Sequence, residues 1–325
     1  MKGIWSGKRL IIVAQPNHFG KKIVCTAFLA TFFSTGFAFG ETKYESARSR
    51  GKDTKFAYEV FLPETARGPL PVIISIHGSN RDGRDLSDGE AKTDEFTNRL
   101  IDAGTEKGFA IVAIDAFFGT DLEPHQKKKF PQAFRFAMFL KSKLSKQDLY
   151  DPNNFFLTGF SYGGGATLSL TDARVRYKNG IPWKAIAPTA PSCQVMSEPI
   201  KVPYPILMIK GEFDHYAVRA CKLQARLLAE KGTKVSLEVI PGVNHFFSTP
   251  EGENEVVARN GCPDNPLIRY PDGTFRFYDG SGETMRRREA RHLCFTNKGI
   301  AGKDRLKTDL VVSRVLDFFT NNLSK

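Results

Sequence analysis

One short motif in the chain has the spacing of a catalytic serine. Residues 159–163 have the sequence Gly-Phe-Ser-Tyr-Gly, a G-x-S-x-G pattern centred on Ser161. The pattern alone is weak in a chain with 28 glycines, but here it follows a short apolar run and precedes a helical pattern. A sharp turn from strand to helix exposes such a serine at a sheet edge, and the flanking glycines avoid collisions. This context predicts that Ser161 is a nucleophile.

A serine hydroxyl is a poor nucleophile without a base, and a histidine follows the last predicted strand. His245 comes directly after the run at 234–240, and Asp214 comes directly after the run at 204–210. In the order Ser161, Asp214, His245, the acid and the base lie on loops after successive late strands. We therefore predict a triad in which His245 is the general base and Asp214 orients it.

Two neighbours of the predicted acid are alternatives. Glu212 lies two residues before Asp214 and is a rival for the role of the acid. His215 directly follows Asp214, but adjacent residues on a tight loop rarely meet in the geometry that a triad needs. We therefore retain Asp214 and His245 as the favoured pair.

The third part of such a site is a pair of N–H groups that stabilise the oxyanion. One donor is expected from Tyr162, the residue after the nucleophile, and the other from the loop after an early strand. His77 ends that strand and Gly78 follows it, so the second donor is predicted to be Ser79 or Asn80. Only the backbone of His77 is needed, and its side chain is expected to be structural.

Short apolar runs alternate with helical patterns along most of the chain, which predicts an α/β fold with a mostly parallel central sheet and helices on both faces. An early strand is predicted at 55–62. Buried strands are predicted at 71–77, 109–117, 154–158, 183–188, 204–210 and 234–240. Helices are predicted at 93–108, 125–146, 162–170, 217–231 and 306–322, and Pro131 marks either the start of the second helix or a kink in it.

Two segments depart from this alternation. Residues 41–54 are polar and are predicted to be an unstructured lead-in. Residues 249–303 are rich in Gly, Pro, Asp, Asn and Arg and have weak periodicity. We interpret them as an irregular insertion on the active-site side, between the last strand and the last helix. Phe117 and Phe118 follow a strand end and are candidates for lining a substrate pocket, although a core role is equally compatible with the sequence.

The first 40 residues have the pattern of an export signal. They contain five Lys or Arg residues and no Asp or Glu, and an uncharged apolar run at 23–39 follows the basic part. Small residues at Ala38 and Gly40 offer a cleavage site. The pattern predicts a bacterial-type signal peptide and a periplasmic or secreted protein. An uncleaved membrane anchor is the alternative, since about 20 apolar residues span a bilayer; membrane contact is expected only in that case.

The formal charge of the chain is +12. Basic clusters occur at 127–129 and 286–288, and such a field steers anionic substrates or holds a protein near anionic surfaces. A solvated basic surface explains the same charge. No nucleic-acid-binding motif accompanies it, so no nucleic-acid partner is predicted. The sequence does not define an oligomeric state.

Cysteines and histidines give no metal-ligand spacing, so no metal site is predicted. Of the five cysteines, Cys25 falls within the signal segment, which leaves an even number in the exported chain. Four cysteines allow three pairings. Cys262 and Cys294 lie in the same insertion, and Cys193 and Cys221 lie near the ends of adjacent predicted strands. We therefore predict disulfides Cys193–Cys221 and Cys262–Cys294 in an oxidising compartment.

These motifs resemble the α/β-hydrolase superfamily. The resemblance rests on IHG at 76–78, TGFSYGGG at 158–165, KGEFD at 210–214 and PGVNHFF at 241–247, and it covers roughly residues 55–250 and 305–322. The pattern is most similar to the dienelactone-hydrolase-like branch and its relatives among esterases of plant polymers and polyesters. Dienelactone hydrolases place a cysteine where Ser161 stands. This difference favours ordinary ester hydrolysis.

The resemblance implies a single α/β-hydrolase domain at 41–325, with the insertion at 249–303. The expected activity is hydrolysis of a small-molecule or polymer-linked carboxylic ester through an acyl-enzyme, without a cofactor. A serine peptidase or an acyltransferase of the same superfamily remains an alternative. A binding protein that uses a hydrolase fold without catalysis is a further alternative, although an intact Ser161, Asp214 and His245 argue against it.

Overall fold

The computed structural model describes residues 41–324, with gaps at 125, 176–181, 195–197, 250–253, 257–263, 271, 287, 290–292 and 294–298. The predicted signal segment at 1–40 lies outside the described residues. So do Cys262 and Cys294 and the disulfide predicted between them. Among the described residues, no helix is both long enough and apolar enough to cross a bilayer.

An eight-stranded sheet forms the centre of the molecule. Its strands in chain order are β1 (Lys43–Ser49), β2 (Lys52–Phe61), β3 (Leu70–Ile76), β4 (Ala110–Asp115), β5 (Tyr150–Phe160), β6 (Ala185–Thr189), β7 (Ile206–Gly211) and β8 (Val235–Ile240). Their spatial order is β1-β2-β4-β3-β5-β6-β7-β8. The β1–β2 and β2–β4 pairs are antiparallel, and every later pair is parallel.

Helices cover both faces of this sheet. They are α1 (Glu95–Glu106), α2 (Ala133–Leu144), α3 (Tyr162–Leu168), α4 (Val218–Glu230) and α5 (Arg305–Thr320). The apolar sides of α1 and α5 pack into one hydrophobic cluster, and those of α2, α3 and α4 pack into another. The predicted mostly parallel sheet with helices on both faces is therefore confirmed.

The central strands are apolar along their whole length because both of their faces are covered. All residues of β4 are buried. In β3, the side chains of Val72, Ile74 and Ile76 belong to the α2–α3–α4 cluster, and Ile73 belongs to the α1–α5 cluster. This alternation is the period of two that a strand imposes, so consecutive residues contribute to the two cores in turn.

The structure differs from the predicted elements at two places. The predicted lead-in contains β1, which pairs with β2 along its full length. Edge strands are held by backbone hydrogen bonds, so a polar segment without an apolar face can form one. Helix α2 begins at Ala133 and not near residue 125, so Pro131 marks the start of the helix and not a kink in it, because proline constrains the residue before it to extended backbone.

Part of the predicted insertion is regular. Short antiparallel pairs form between β9 (Asn254–Val256) and β12 (Gly299–Ala301), and between β10 (Leu267–Arg269) and β11 (Phe275–Phe277). Leu267 and Phe275 form a small buried cluster there. The insertion also contacts the main body, since the backbone N–H of Arg269 donates to the carbonyl of Gln194 at 2.7 Å.

Candidate active site

Ser161 occupies a strained turn between β5 and α3. Its backbone has φ 52° and ψ −103°, a conformation that non-glycine residues rarely adopt and that exposes the side chain at the sheet edge. Its N–H donates to the carbonyl of Thr189 at 2.9 Å. A Cβ on Gly163 would lie 1.9 Å from the carbonyl oxygen of Ile76. Only glycine therefore allows α3 to pack this closely on β3.

The structure brings Ser161, His245 and Asp214 into one hydrogen-bonded chain. His245 Nε2 lies 2.8 Å from Ser161 Oγ, and His245 Nδ1 lies 2.9 Å from Asp214 Oδ2. Both His245 and Asp214 are buried. In this geometry, the carboxylate favours the tautomer with a proton on Nδ1, so that the lone pair of Nε2 faces the hydroxyl of Ser161.

The Asp214 carboxylate has two further donors. The ammonium of Lys210 donates to Oδ2 at 2.6 Å, and the N–H of Tyr216 donates to Oδ1 at 2.8 Å. Burial alone raises the pKa of Asp214, but the charges of His245 and Lys210 outweigh burial and hold that pKa well below its usual range. Asp214 is therefore ionised throughout the neutral range.

The two neighbours of Asp214 occupy different places. Glu212 is exposed, and its carboxylate accepts the N–H of Gly242 at 2.9 Å. The ring of His215 packs against the ring of His245, with centroids 4.5 Å apart. Glu212 thus lies on the surface of the loop, and the hydrogen bond to His245 Nδ1 is made by Asp214.

The loop after β3 is held from both sides. The N–H of Gly78 donates a short hydrogen bond to Asp94, the N-cap of α1. The N–H of Ala116 donates to His77 Nε2 at 3.0 Å, and His77 Nδ1 lies 2.6 Å from the carbonyl of Gly78. The side chain of the fully buried His77 thus connects the loop after β3 to the end of β4.

The two candidates for the second oxyanion donor differ in position. Ser79 lines the same cavity as Ser161 and Tyr162, and Asn80 is not among the described residues that line it. The N–H of Gly78 is already bound to Asp94. Of the two residues that the sequence left open, Ser79 is therefore the one that shares the cavity with Ser161.

A cavity of about 450 Å³ opens beside Ser161. One part of its wall is apolar and consists of Phe130, Pro131, Ala133, Phe134, Ala166 and Leu168. Another part is polar and includes Arg50, from the turn between β1 and β2, and an ion pair between Arg174 and Asp172. The volume is that of a typical small-molecule site.

The predicted pocket residues Phe117 and Phe118 are not among the described residues that line this cavity. Phe117 is fully buried and packs against Phe130 and Tyr162, behind the cavity wall. Phe118 packs against Tyr44 of β1 at a centroid distance of 4.7 Å. Phe117 therefore lies in the core just after β4 and supports the cavity wall from behind. Phe118 instead contacts strand β1.

Sequence reasoning missed several residues of the site. Lys210 ends a predicted strand that is otherwise apolar, four residues before Asp214, and Asp94 lies at the start of a predicted helix; both signals are present in the sequence. Phe130 and Phe134 lie on either side of the α2 start, and nothing in their spacing indicated a cavity. Arg50 reaches the site from β1–β2, which the sequence did not reveal as a hairpin.

The predicted Cys193–Cys221 disulfide is confirmed. The two sulfur atoms are 2.03 Å apart. Cys193 lies in the loop after β6 and lines the cavity, and Cys221 lies in α4. The bond therefore ties the cavity wall to the helix that follows the Asp214 loop.

The strand order, with its two antiparallel pairs at one end, and the serine turn after β5 define the α/β-hydrolase fold. The fold class expected from the sequence is thus confirmed. Scans of the chain against protein-family models and against curated proteins both found no match.

Solved structures are similar to this chain at low sequence identity. A protein from Klebsiella pneumoniae named as a dienelactone hydrolase is 16% identical, with a TM-score of 0.45 over 64% of this chain and 88% of that one. An esterase from Thermogutta terrifontis is 14% identical, with a TM-score of 0.48 over 67% of this chain and 87% of that one.

A protein from Bacteroides ovatus named as a dipeptidyl aminopeptidase IV is also similar. It is 13% identical, with a TM-score of 0.46 over 66% of this chain and 34% of that one. At such identities the likeness to these three structures concerns the fold alone.

Proposed function

We propose that the protein is a serine hydrolase that cleaves carboxylic esters through an acyl-enzyme on Ser161. The observation that carries the proposal is the hydrogen-bonded chain from Ser161 Oγ to His245 at 2.8 Å and on to Asp214 at 2.9 Å. A serine on a strained turn, a base within hydrogen-bond reach and an acid that orients the base are the parts that acyl transfer requires.

In the proposed mechanism, His245 Nε2 accepts the proton of Ser161 while Oγ attacks the ester carbonyl. Asp214 holds the imidazole and stabilises the imidazolium. The N–H groups of Tyr162 and Ser79 stabilise the oxyanion; one such donor is worth about 3 kcal/mol in the transition state. His245 then protonates the leaving alcohol, activates water and returns the proton to Ser161 as the acid leaves.

The cavity favours an ester over a peptide with a free amino terminus. Anchoring an ammonium group requires unpaired carboxylates. Among the described residues that line the cavity, the only carboxylate is Asp172, and Arg174 is paired with it. The volume of about 450 Å³ holds a small ester or the terminal unit of a polymer-linked one.

The test is hydrolysis of p-nitrophenyl and hydroxycinnamate esters by Ser161→Ala, with Ser169→Ala as the matched control. Ser169 also lines the cavity, but its hydroxyl donates to the carbonyl of Gly165 at 2.9 Å. We expect Ser161→Ala to lose activity about 10⁴-fold or more and Ser169→Ala to retain most of it.

A fluorophosphonate should label the wild type on Ser161 alone, as located by peptide mass spectrometry. Near-normal turnover by Ser161→Ala, or no labelling of the folded wild type, would contradict the proposal. Release of the free acid distinguishes hydrolysis from transfer, because an acyltransferase would pass the acyl group to an added alcohol. Peptide substrates should remain intact.

We also propose that the protein acts outside the cytoplasm. The Cys193–Cys221 disulfide supports this, because such bonds persist in oxidising compartments. If the apolar segment at 23–39 is a cleaved signal, N-terminal sequencing of protein from a bacterial envelope fraction should give Glu41 as the first residue. A mature chain that retains this segment in the membrane would instead support the anchor.

A further inference from the structure

A fully buried lysine lies behind the candidate triad. Lys210 is in β7, and neither its side chain nor that of Asp214 is exposed. Its ammonium lies 2.6 Å from Asp214 Oδ2 and 2.9 Å from the carbonyl oxygen of Pro191. Both partners are acceptors, so Nζ donates to each. Lys210 thus joins the loop after β6 to the acid of the triad.

Lys210 and His245 share one oxygen of Asp214. His245 Nδ1 lies 2.9 Å from Oδ2, the oxygen that also accepts from Lys210, while Oδ1 accepts the N–H of Tyr216. With three donors on two oxygens, the carboxylate is fixed in rotation. Burial lowers the pKa of Lys210, but the charge of Asp214 and the hydrogen bond to it oppose this effect and favour the ammonium form.

We propose that Lys210 is a positioning residue, which fixes the Asp214 carboxylate and offsets its negative charge, so that His245 becomes the neutral base at a lower pH than beside Asp214 alone. The role in catalysis rests on the proposed function; the effect on the titration of His245 does not. The consequence for an esterase is activity that extends further into the acidic range.

The physical basis is the repulsion between two cations. When His245 accepts a proton, the imidazolium lies near a second positive charge, which disfavours the protonated form. The described titratable groups that face His245 are Asp214, His215 and Tyr216 from the loop after β7, and Ser161 from the turn after β5. Among these, Asp214 is the only acid, and Lys210 compensates it.

The first experiment measures kcat/KM for an ester against pH in the wild type, Lys210→Met and Lys141→Met. Lys141 is the matched control: it is also buried, and burial lowers its pKa to about 8, but it lies over the rings of Phe155 and Trp183. We expect the acid limb of Lys210→Met to move up by about one to two pH units, as for loss of a nearby charge.

The acid limb of Lys141→Met should coincide with that of the wild type. An unmoved limb in Lys210→Met, or an equal shift in both variants, would overturn the proposal. Rates are compared only at pH values where circular dichroism shows each variant to be folded, because a destabilised variant that unfolds in acid would also lose activity on that limb.

The second experiment needs no activity. NMR follows the titration of His245 in Ser161→Ala and in the same variant carrying Lys210→Met or Lys210→Gln, the latter of which keeps a hydrogen-bond donor without the charge; the His245 signal is assigned by comparison with His245→Asn. We expect a lower midpoint with Lys210 present than with either neutral replacement. Equal midpoints with and without Lys210 would overturn its role. If the protein lacks esterase activity but His245 titrates as expected, the proposed function fails and this inference stands.

Discussion

The carboxylate of Asp214 interacts with two charged or titratable neighbours in the candidate site, Lys210 and His245. Its side chain is fully buried and accepts hydrogen bonds from Lys210, His245 and Tyr216. Asp214→Asn would place an amide opposite His245 Nδ1, and an N–H there favours the wrong tautomer of the base. We therefore expect a loss of kcat of about 10³- to 10⁴-fold, measured on a soluble ester.

Glu212→Gln is the matched control for that substitution. Glu212 lies two residues away on the same loop, and it is exposed and bound to the N–H of Gly242. Its kcat should change by less than about threefold. If the losses were reversed between the two variants, Glu212 and not Asp214 would be the acid of the triad.

At the residue scale, the sequence predicted the candidate site residues that occur in a recognisable local pattern. Ser161 is identifiable because a strand-to-helix turn with flanking glycines is a local feature, and Asp214 and His245 each follow a strand. Lys210 carried a signal, a lysine in an otherwise apolar strand four residues before Asp214, but its second partner, the carbonyl of Pro191, is set by packing between strands. Arg50 was not predictable, because it reaches the cavity from a turn that is distant in sequence from Ser161.

The tight packing of α3 against the sheet makes a prediction about one element. In Gly163→Ala, the added Cβ would lie 1.9 Å from the carbonyl oxygen of Ile76. Backbone cannot yield there without separating α3 from β3, so we expect a large loss of stability and of activity. Urea unfolding and circular dichroism measure the first, and ester hydrolysis measures the second.

Gly165→Ala is the control, two residues further along the same helix. Nothing lies within 4 Å of a Cβ at Gly165, and alanine favours the helix over glycine by up to about 1 kcal/mol. This variant should be as stable as the wild type or more so. Because Gly165 lines the cavity, the KM of Gly165→Ala for an ester can change although the fold of the variant does not. Equal destabilisation of both variants would refute the packing argument.

The disulfide connects two elements that carry the site. It closes a sequence separation of 28 residues between Cys193 and Cys221, which is worth about 3–4 kcal/mol in the chain-entropy model. We expect Cys193→Ala/Cys221→Ala to unfold at a lower urea concentration and to lose part of its activity, since the cavity wall and α4 are no longer tied. A reductant should weaken the wild type more than the double variant, which lacks this disulfide.

At the scale of the whole molecule, the sequence predicted the sheet because buried parallel strands are continuous apolar runs, as in β4. It did not predict β1, which is mostly polar and pairs with β2 along its full length, nor the short strands within residues 249–303. The Cys262–Cys294 pairing remains a prediction. Peptide mapping under non-reducing conditions tests it, and a crossed pairing such as Cys221 with Cys262 would show it to be wrong.

The buried carboxylates predict how the stability of the molecule depends on pH. Burial raises the pKa of Asp214, but His245 and Lys210 outweigh it, so folding lowers that pKa below the value of about 3.9 in the unfolded chain. The unfolded state therefore binds more protons in this range, and the free energy of unfolding rises with pH there. The stability from Asp214 is present above about pH 4 and is lost as the pH falls further.

Asp94 acts in the opposite sense, because burial raises its pKa despite the hydrogen bonds from Gly78 and Thr97. The contribution of Asp214 to stability is therefore best isolated by comparing the wild type with a variant that lacks this carboxyl group. Urea unfolding between about pH 2 and pH 5 should show a steeper loss of stability in the wild type than in Asp214→Asn, which lacks the titrating group. Asp94→Asn should show the reverse, a steeper loss than the wild type. Parallel curves for wild type and Asp214→Asn would mean that folding does not lower the pKa of this carboxyl, and that the buried pair with Lys210 does not hold it ionised.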